Sequence, residues 1–297
     1  MKILVTGATG FIGQRLTNTF LDKNFQIIAI LRESSESSKI NRNIEIFSYN
    51  ENINNLISFF KKENFDGIIH LATHFVATHA TEDIPKLIAS NIKFGTEVLE
   101  ATVQSQVKWF INVGTFWQNY CCDGYNPVNL YAATKEAFQT IAKYYTETSD
   151  LIFTTVKLND TFGPNDNRKK LINLWNKISV TGESVDFPNG EQLMDICYID
   201  DVVNAFNVLI SHLSSKGCMR FKNKIFAISS NERVTLKELA MIYEKTTKRK
   251  LNINWGSAPY REREVMVPWD KGKRIPGWKP KYTLEMGFKK LKKYIKL

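Results

Sequence analysis

Ile3-Leu-Val-Thr-Gly7-Ala-Thr-Gly10-Phe-Ile-Gly13 runs an apolar strand straight into three glycines and then into a helical pattern. Gly7 permits the tight turn, Gly10 lets backbone approach a ligand with no Cβ in the way, and Gly13 allows the helix to pack closely on the strand. The helix amino terminus then offers unpaired N–H donors and a partial positive charge, so the segment reads as a cradle for a dinucleotide pyrophosphate. A glycine trio also occurs in plain structural loops. The strand before this one and the amphipathic helix after it set it apart.

Working outward, apolar strand-like runs at 27–31, 67–71, 109–113 and 152–158 alternate with helical patterns near 11–22, 51–63, 84–104 and 129–148. Such alternation predicts an α/β Rossmann fold, a doubly wound parallel sheet with helices on both faces. After Gly163-Pro164 the regularity drops, although helices near 168–178, 200–213 and 235–247 are still expected. This predicts an NADP-binding Rossmann domain at 1–160. A smaller α+β substrate-binding lobe follows at 161–297, with segments near 193–230 returning to the first domain. No repeat or low-complexity linker separates the halves, so a shared interface is expected, with the cleft beyond the carboxyl ends of the strands.

The 297 residues are 43% hydrophobic and 24% charged, enough for an ample core. A net charge of +10 favours anionic ligands: nucleotide cofactors, nucleotide sugars or nucleic acid. Much of the excess falls in a final helical pattern with Phe288, Leu291, Tyr294 and Ile295 on one face and Lys289, Lys290, Lys292, Lys293 and Lys296 elsewhere. That reads as a solvated helix, with no nucleic acid partner. There is no signal-peptide pattern and no run near the roughly 20 apolar residues of a membrane span, so a cytoplasmic protein with no membrane partner is expected. Cys121, Cys122, Cys197 and Cys218 show no CxxC spacing, which predicts reduced, buried structural thiols and no metal.

Tyr131-Ala-Ala-Thr-Lys135 puts a phenol and an ammonium one helical turn apart on one face. A neighbouring lysine is expected to lower the phenol pKa toward working pH, where it exchanges a proton with a carbonyl or hydroxyl. Thr115, at a preceding strand end, is positioned to hold the same oxygen. At the end of the second strand, where an acidic residue would grip the ribose 2′-hydroxyl of NAD, stands Arg32. With Ser34 and Ser35 it suits a 2′-phosphate and favours NADPH; the alternative is that Glu33 reads the ribose and Arg32 points to solvent.

Together, Thr6 to Gly13, His70-Leu71-Ala72, Asn91 with Gly95-Thr96, Thr115, and Tyr131 with Lys135 resemble the extended short-chain dehydrogenase/reductase family, the NAD-dependent epimerase/dehydratase group, in its nucleotide-sugar branch. Phe162-Gly163-Pro164, Asp195 to Asp201 and Gly277-Trp-Lys-Pro280 extend the resemblance through nearly the whole chain. It implies that Tyr131 is the general acid or base, that Thr115 steadies the reacting oxygen, and that Lys135 also holds the nicotinamide ribose. It further implies that Gly7, Thr9, Gly10, Phe11, Ile12, Arg32, Leu71, Ala72 and Asn91 bind the cofactor.

Dehydratases of this branch follow the threonine with Asp-Glu; Phe116-Trp117 here argues against elimination. The runs 114–120, 126–131 and 158–171 are most similar to 4-ketoreductases of the CDP-abequose and CDP-paratose synthase kind. That implies NADPH-dependent reduction of a nucleotide-diphosphate 4-keto-deoxyhexose in surface-polysaccharide or O-antigen sugar synthesis. His74, Trp117, Gln118 and Asp160 are then expected beside the sugar, and Arg168 and Arg261 at the diphosphate. Lys169, Lys170 and Arg263 read equally well as solvated surface charges, and His70 is expected in packing or hydrogen bonding at the cofactor's border. A 4-epimerase with resident NAD, and a non-catalytic NADP-binding sensor, remain open alternatives. Relatives pair through helices resembling 84–104 and 129–148, which allows a homodimer without excluding a monomer.

Overall fold

The computed structural model describes residues 1–32, 35–230 and 232–295. Six strands alternate with helices through the first half: β1 (Lys2–Thr6), β2 (Gln26–Arg32), β3 (Glu45–Tyr49), β4 (Gly67–His70), β5 (Trp109–Thr115) and β6 (Ile152–Leu158). The helices are α1 (Phe11–Leu21), α2 (Ile53–Glu63), α3 (Asp83–Ile88), α4 (Phe94–Gln104) and α5 (Leu130–Glu147). The second half adds β7 (Asp160–Phe162), β8 (Val185–Phe187), β9 (Leu193–Met194), β10 (Ile196–Tyr198), β11 (Lys224–Ile228), β12 (Val234–Thr235) and β13 (Ile253–Trp255). Its helices are α6 (Leu171–Thr181), α7 (Ile199–Leu213), α8 (Leu236–Thr247) and α9 (Leu284–Lys292).

The main sheet is parallel throughout, in the order β11-β6-β5-β4-β1-β2-β3, the doubly wound Rossmann arrangement expected from the sequence. Strands covered on both faces need apolar residues on both, which is why β4 and β6 are buried along their whole length. β3 has no such signature. It is an edge strand, half exposed, and its Glu-Ile-Phe-Ser-Tyr run carries too little apolar pattern to be read in advance. One face of the sheet packs against α1, α7 and the second-half helices; the other packs against α2, α4 and α5.

The expected helix over 84–104 is two helices joined by a π-turn at Ala89–Lys93, and the turn swings Asn91 into the interior. β11 joins the main sheet beside β6, while α7 packs on α1. The remaining strands form three two-stranded pairs: β10 with β7, β12 with β9, and β13 with β8.

Two expectations fail. The final helix stops at Lys292, leaving Tyr294 beyond it and exposed; Leu284, Gly287, Phe288 and Leu291 are buried, and Ile295, past the helix end, is partly buried against the same core. Lys296 lies outside the described residues. Cys121 is exposed and Cys122 partly so, on a turn where both adopt left-handed φ, 54° and 58°, rather than buried as structural thiols. No described helix is long and apolar enough to cross a membrane.

Candidate active site

The β1–α1 turn is built around its glycines. Gly7 has φ +70°, and a Cβ there would sit 2.6 Å from the Ala72 backbone nitrogen. A Cβ on Gly13 would come within 2.2 Å of the Gly7 carbonyl, so the helix start and the strand end approach as closely as two backbones allow. Thr6 fastens the neighbouring strand end: its Oγ1 accepts from the Ala72 N–H at 3.1 Å and pairs with His70 Nδ1 at 2.9 Å. Gly10 precedes α1 without any side-chain cap, and the first intrahelical bond is Gln14 N–H to Gly10 O at 2.9 Å. The first-turn amides therefore remain free to donate, and the residues present fit an anionic dinucleotide.

This turn forms one wall of a cleft of about 870 Å³ at the point where the strand order reverses. Gly7, Thr9, Gly10, Phe11, Ile12, Leu71 and Ala72 all line it, as do Arg32 and Ser35. Arg32 ends β2, one strand to one side of β1; Thr115 ends β5, two strands to the other. The alternative ribose reader, Glu33, and Ser34 both lie outside the described residues.

Tyr131 and Thr115 face the cleft together. Tyr131 stands in the first turn of α5, whose start is fixed by Asn129: its Oδ1 accepts from the Ala132 N–H at 3.0 Å and its Nδ2 donates to the Ala77 carbonyl at 2.8 Å. Phe75 meets the Tyr131 ring edge-on at 4.9 Å. The expected lowering of the phenol pKa is reversed: burial pushes it up to about 12, against a weaker downward pull from a hydrogen bond with Thr73. Lys135 does not join them in the lining. It is only 2% exposed and has no carboxylate within 4.0 Å among the described residues. Burial lowers its own pKa to about 8. Its charge, after burial itself, helps hold His70 neutral with a pKa of about 3.

Of the expected sugar-side residues, Trp117 and Asp160 line the cleft and Gln118 does not. Gln118 is fully buried, its Oε1 accepting from the Thr115 N–H at 2.8 Å, so it supports the turn after Thr115 instead of meeting a hydroxyl. Asn91 is likewise spent. Its Oδ1 accepts from Thr73 Oγ1 at 3.0 Å and the His74 N–H at 2.7 Å, while its Nδ2 donates to the His74 carbonyl at 3.0 Å and Thr134 Oγ1 at 2.9 Å. With all four hydrogen-bonding positions filled, it stitches the segment after β4 to α5 and has nothing left for a cofactor. His74 is also outside the cleft lining, 3.7 Å from Asp83.

Arg168 reaches the cleft but is held by Asp166, with Nε and Nη2 donating at 2.7 and 2.8 Å, and by Thr161. Arg261 pairs with Glu264 at 2.8 Å outside the lining; its guanidinium lies 5.5 Å from the Trp117 ring. Of the three cations left open between diphosphate and solvent, Lys169 is exposed at the cleft lining and the other two are partly buried. Lys170 lines the cleft, 3.3 Å from Asp160 and 4.1 Å above Phe75. Arg263 is partly buried, bonded to Asn126 and 4.2 Å above Tyr120. Phe75 and Thr73 escaped the sequence reading because neither belongs to a pattern; only the fold carries the segment after β4 into the cleft.

A parallel doubly wound sheet with a glycine cradle and a Tyr-Thr pair in one cleft defines a dinucleotide-binding protein of the short-chain dehydrogenase/reductase class. The model of the NAD dependent epimerase/dehydratase family matches residues 3–223, and the chain belongs to that family. The CDP-abequose synthase of Salmonella muenchen is 28% identical over 294 residues, spanning 98% of this chain and 96% of the relative. That of Yersinia pseudotuberculosis is 28% identical over 278 residues, spanning 93% and 94%. Among solved structures, a UDP-glucose 4-epimerase of Thermotoga maritima with UDP-glucose shares the fold at a TM-score of 0.84 and 23% identity, covering 99% of this chain and 98% of that one. A UDP-glucuronic acid 4-epimerase of Bacillus cereus with UDP-glucuronic acid and NAD gives 0.83 and 21%, covering 99% of both.

Proposed function

We propose that the protein is an NADPH-dependent 4-ketoreductase acting on a nucleotide-diphosphate 6-deoxy-4-hexulose. The observation that carries this reading is the common cleft: the glycine cradle, Arg32, Thr115 and Tyr131 all open onto it. A nicotinamide cofactor held over the glycine cradle would supply the hydride that reduces C4. A phenol with its pKa at about 12 stays protonated at neutral pH, the form needed to give a proton to the C4 oxygen. Thr115 holds that oxygen, and the rings of Trp117 and Phe75 keep bulk water from the reacting face. Arg32 suits a 2′-phosphate, which a reductase exchanging its cofactor each turnover would read. Full-length similarity to CDP-abequose synthases supports a nucleotide-sugar substrate.

Purified protein given a CDP- or dTDP-linked 6-deoxy-4-hexulose is expected to oxidise NADPH faster than NADH. Tyr131→Phe should reduce turnover by roughly two orders of magnitude or more, and Arg32→Asp should narrow the NADPH advantage. Copurifying NAD with no net NADPH oxidation would replace this reading by a 4-epimerase.

A further inference from the structure

Thr115 closes β5 and caps the single 3-10 turn Phe116–Gln118. Its N–H donates to Gln118 Oε1 at 2.8 Å, and its Oγ1 accepts from the Trp117 N–H at 3.3 Å, so the turn is tied at both ends. The other end of the Gln118 amide is also engaged: Nε2 donates to Glu136 Oε2. Glu136 lies on α5, next to Lys135 and five residues beyond Tyr131. Lys157 of β6 stands 4.0 Å from the same carboxylate oxygen and donates to Asn119 Oδ1 at 2.7 Å. Gly114 is directly across from Lys157 in the sheet, and a Cβ there would sit 2.6 Å from Gln118 Oε1. Glycine at 114 leaves the space the amide occupies. None of Glu136, Gln118 or Lys157 lines the cleft.

A carboxylate only accepts, so it forces the amide nitrogen toward itself and the amide oxygen toward the Thr115 N–H. Without it the amide is free to flip, placing a donor against a donor. We propose that Glu136 is a positioning residue for the reaction: through Gln118 it fixes the Thr115 hydroxyl relative to the Tyr131 phenol. The inference rests on the function proposed above, and tests of the two are separable.

Glu136→Ala is expected to lower kcat roughly 10- to 100-fold with the KM for NADPH unchanged, because a small displacement of a substrate-holding group acts on the chemical step. Glu136→Gln, whose side-chain oxygen still accepts from Gln118, should recover most of the loss. In a Thr115→Val background the Glu136→Ala penalty should shrink to less than about twofold, as for two groups acting as a unit. Amide exchange across residues 114–119 should accelerate in Glu136→Ala and not in Glu136→Gln. An equal penalty in both backgrounds, or unchanged kcat with a lower Tm, would overturn the proposal. A wild type that leaves NADPH unoxidised would count against the function alone; faster exchange in Glu136→Ala would then still support the tether, and unchanged exchange would sink it.

Discussion

Lys135 shows what a buried ammonium costs the fold that carries it. Its folded pKa of about 8 lies below the unfolded 10.5, so the unfolded chain binds more protons between those values and stability rises with pH across that window. Below pH 8 the full penalty of burying the ammonium applies, on the order of 3 kcal/mol. Tyr131, raised from 10.0, pulls the opposite way above pH 10, buried Cys197 does so above about pH 9, and Lys157, lowered by its own burial, adds to the rise, so the share of Lys135 is read as the difference between wild type and variant. Lys135→Met is expected to raise Tm at pH 7, to reduce the rise in stability above pH 8, and to weaken cofactor binding. Calorimetry of both proteins across pH checks the first two, and a Tm pH profile parallel to that of wild type would show that the ammonium is not destabilising. At this scale the sequence is legible for residue type and poor for direction. Gln118, Asn91 and Lys170 each carry the right chemistry for a ligand, yet the fold turns the first two inward and the third into the cleft.

At the scale of elements, apolar runs gave away β1, β2, β4, β5 and β6 because strands covered on both faces leave that mark. The edge strand β3 and pairs of two or three residues such as β9 with β12 are set by their neighbours, so nothing local announces them. The β1–α1 junction was legible because backbone crowding admits only glycine. Gly13→Ala tests that directly. Alanine is the better helix former by roughly 1 kcal/mol, but its Cβ meets the Gly7 carbonyl, rigid backbone, at 2.2 Å. The clash should prevail, with a net loss of about 1–3 kcal/mol in urea unfolding and weaker cofactor binding. Gly124→Ala, where a Cβ meets nothing within 4 Å, is the matched control and should be near neutral. Equal stability of the two variants would mean that α1 tolerates displacement from β1.

Across the whole molecule, the largest core cluster runs from Ile3 and Val5 in β1 to Phe288 and Leu291 in α9, joining the two halves in one apolar interior. Phe288 is fully buried, with the Phe162 ring 5.0 Å away and Tyr243 at 5.4 Å. Phe288→Ala should therefore cost about 3–5 kcal/mol, and far-UV dichroism, near-UV dichroism and NADPH binding should all fall in one transition. Two separated transitions would show halves that fold independently. β11 carries a related consequence for synthesis. β6 pairs on one side with β5 and on the other with residues 224–228, which the ribosome adds some seventy positions later, after β7 to β10 and α6 to α7. Until that stretch emerges, a nascent chain holds a strand that ends wholly buried with one row of amides and carbonyls open, and only the arrival of β11 closes it.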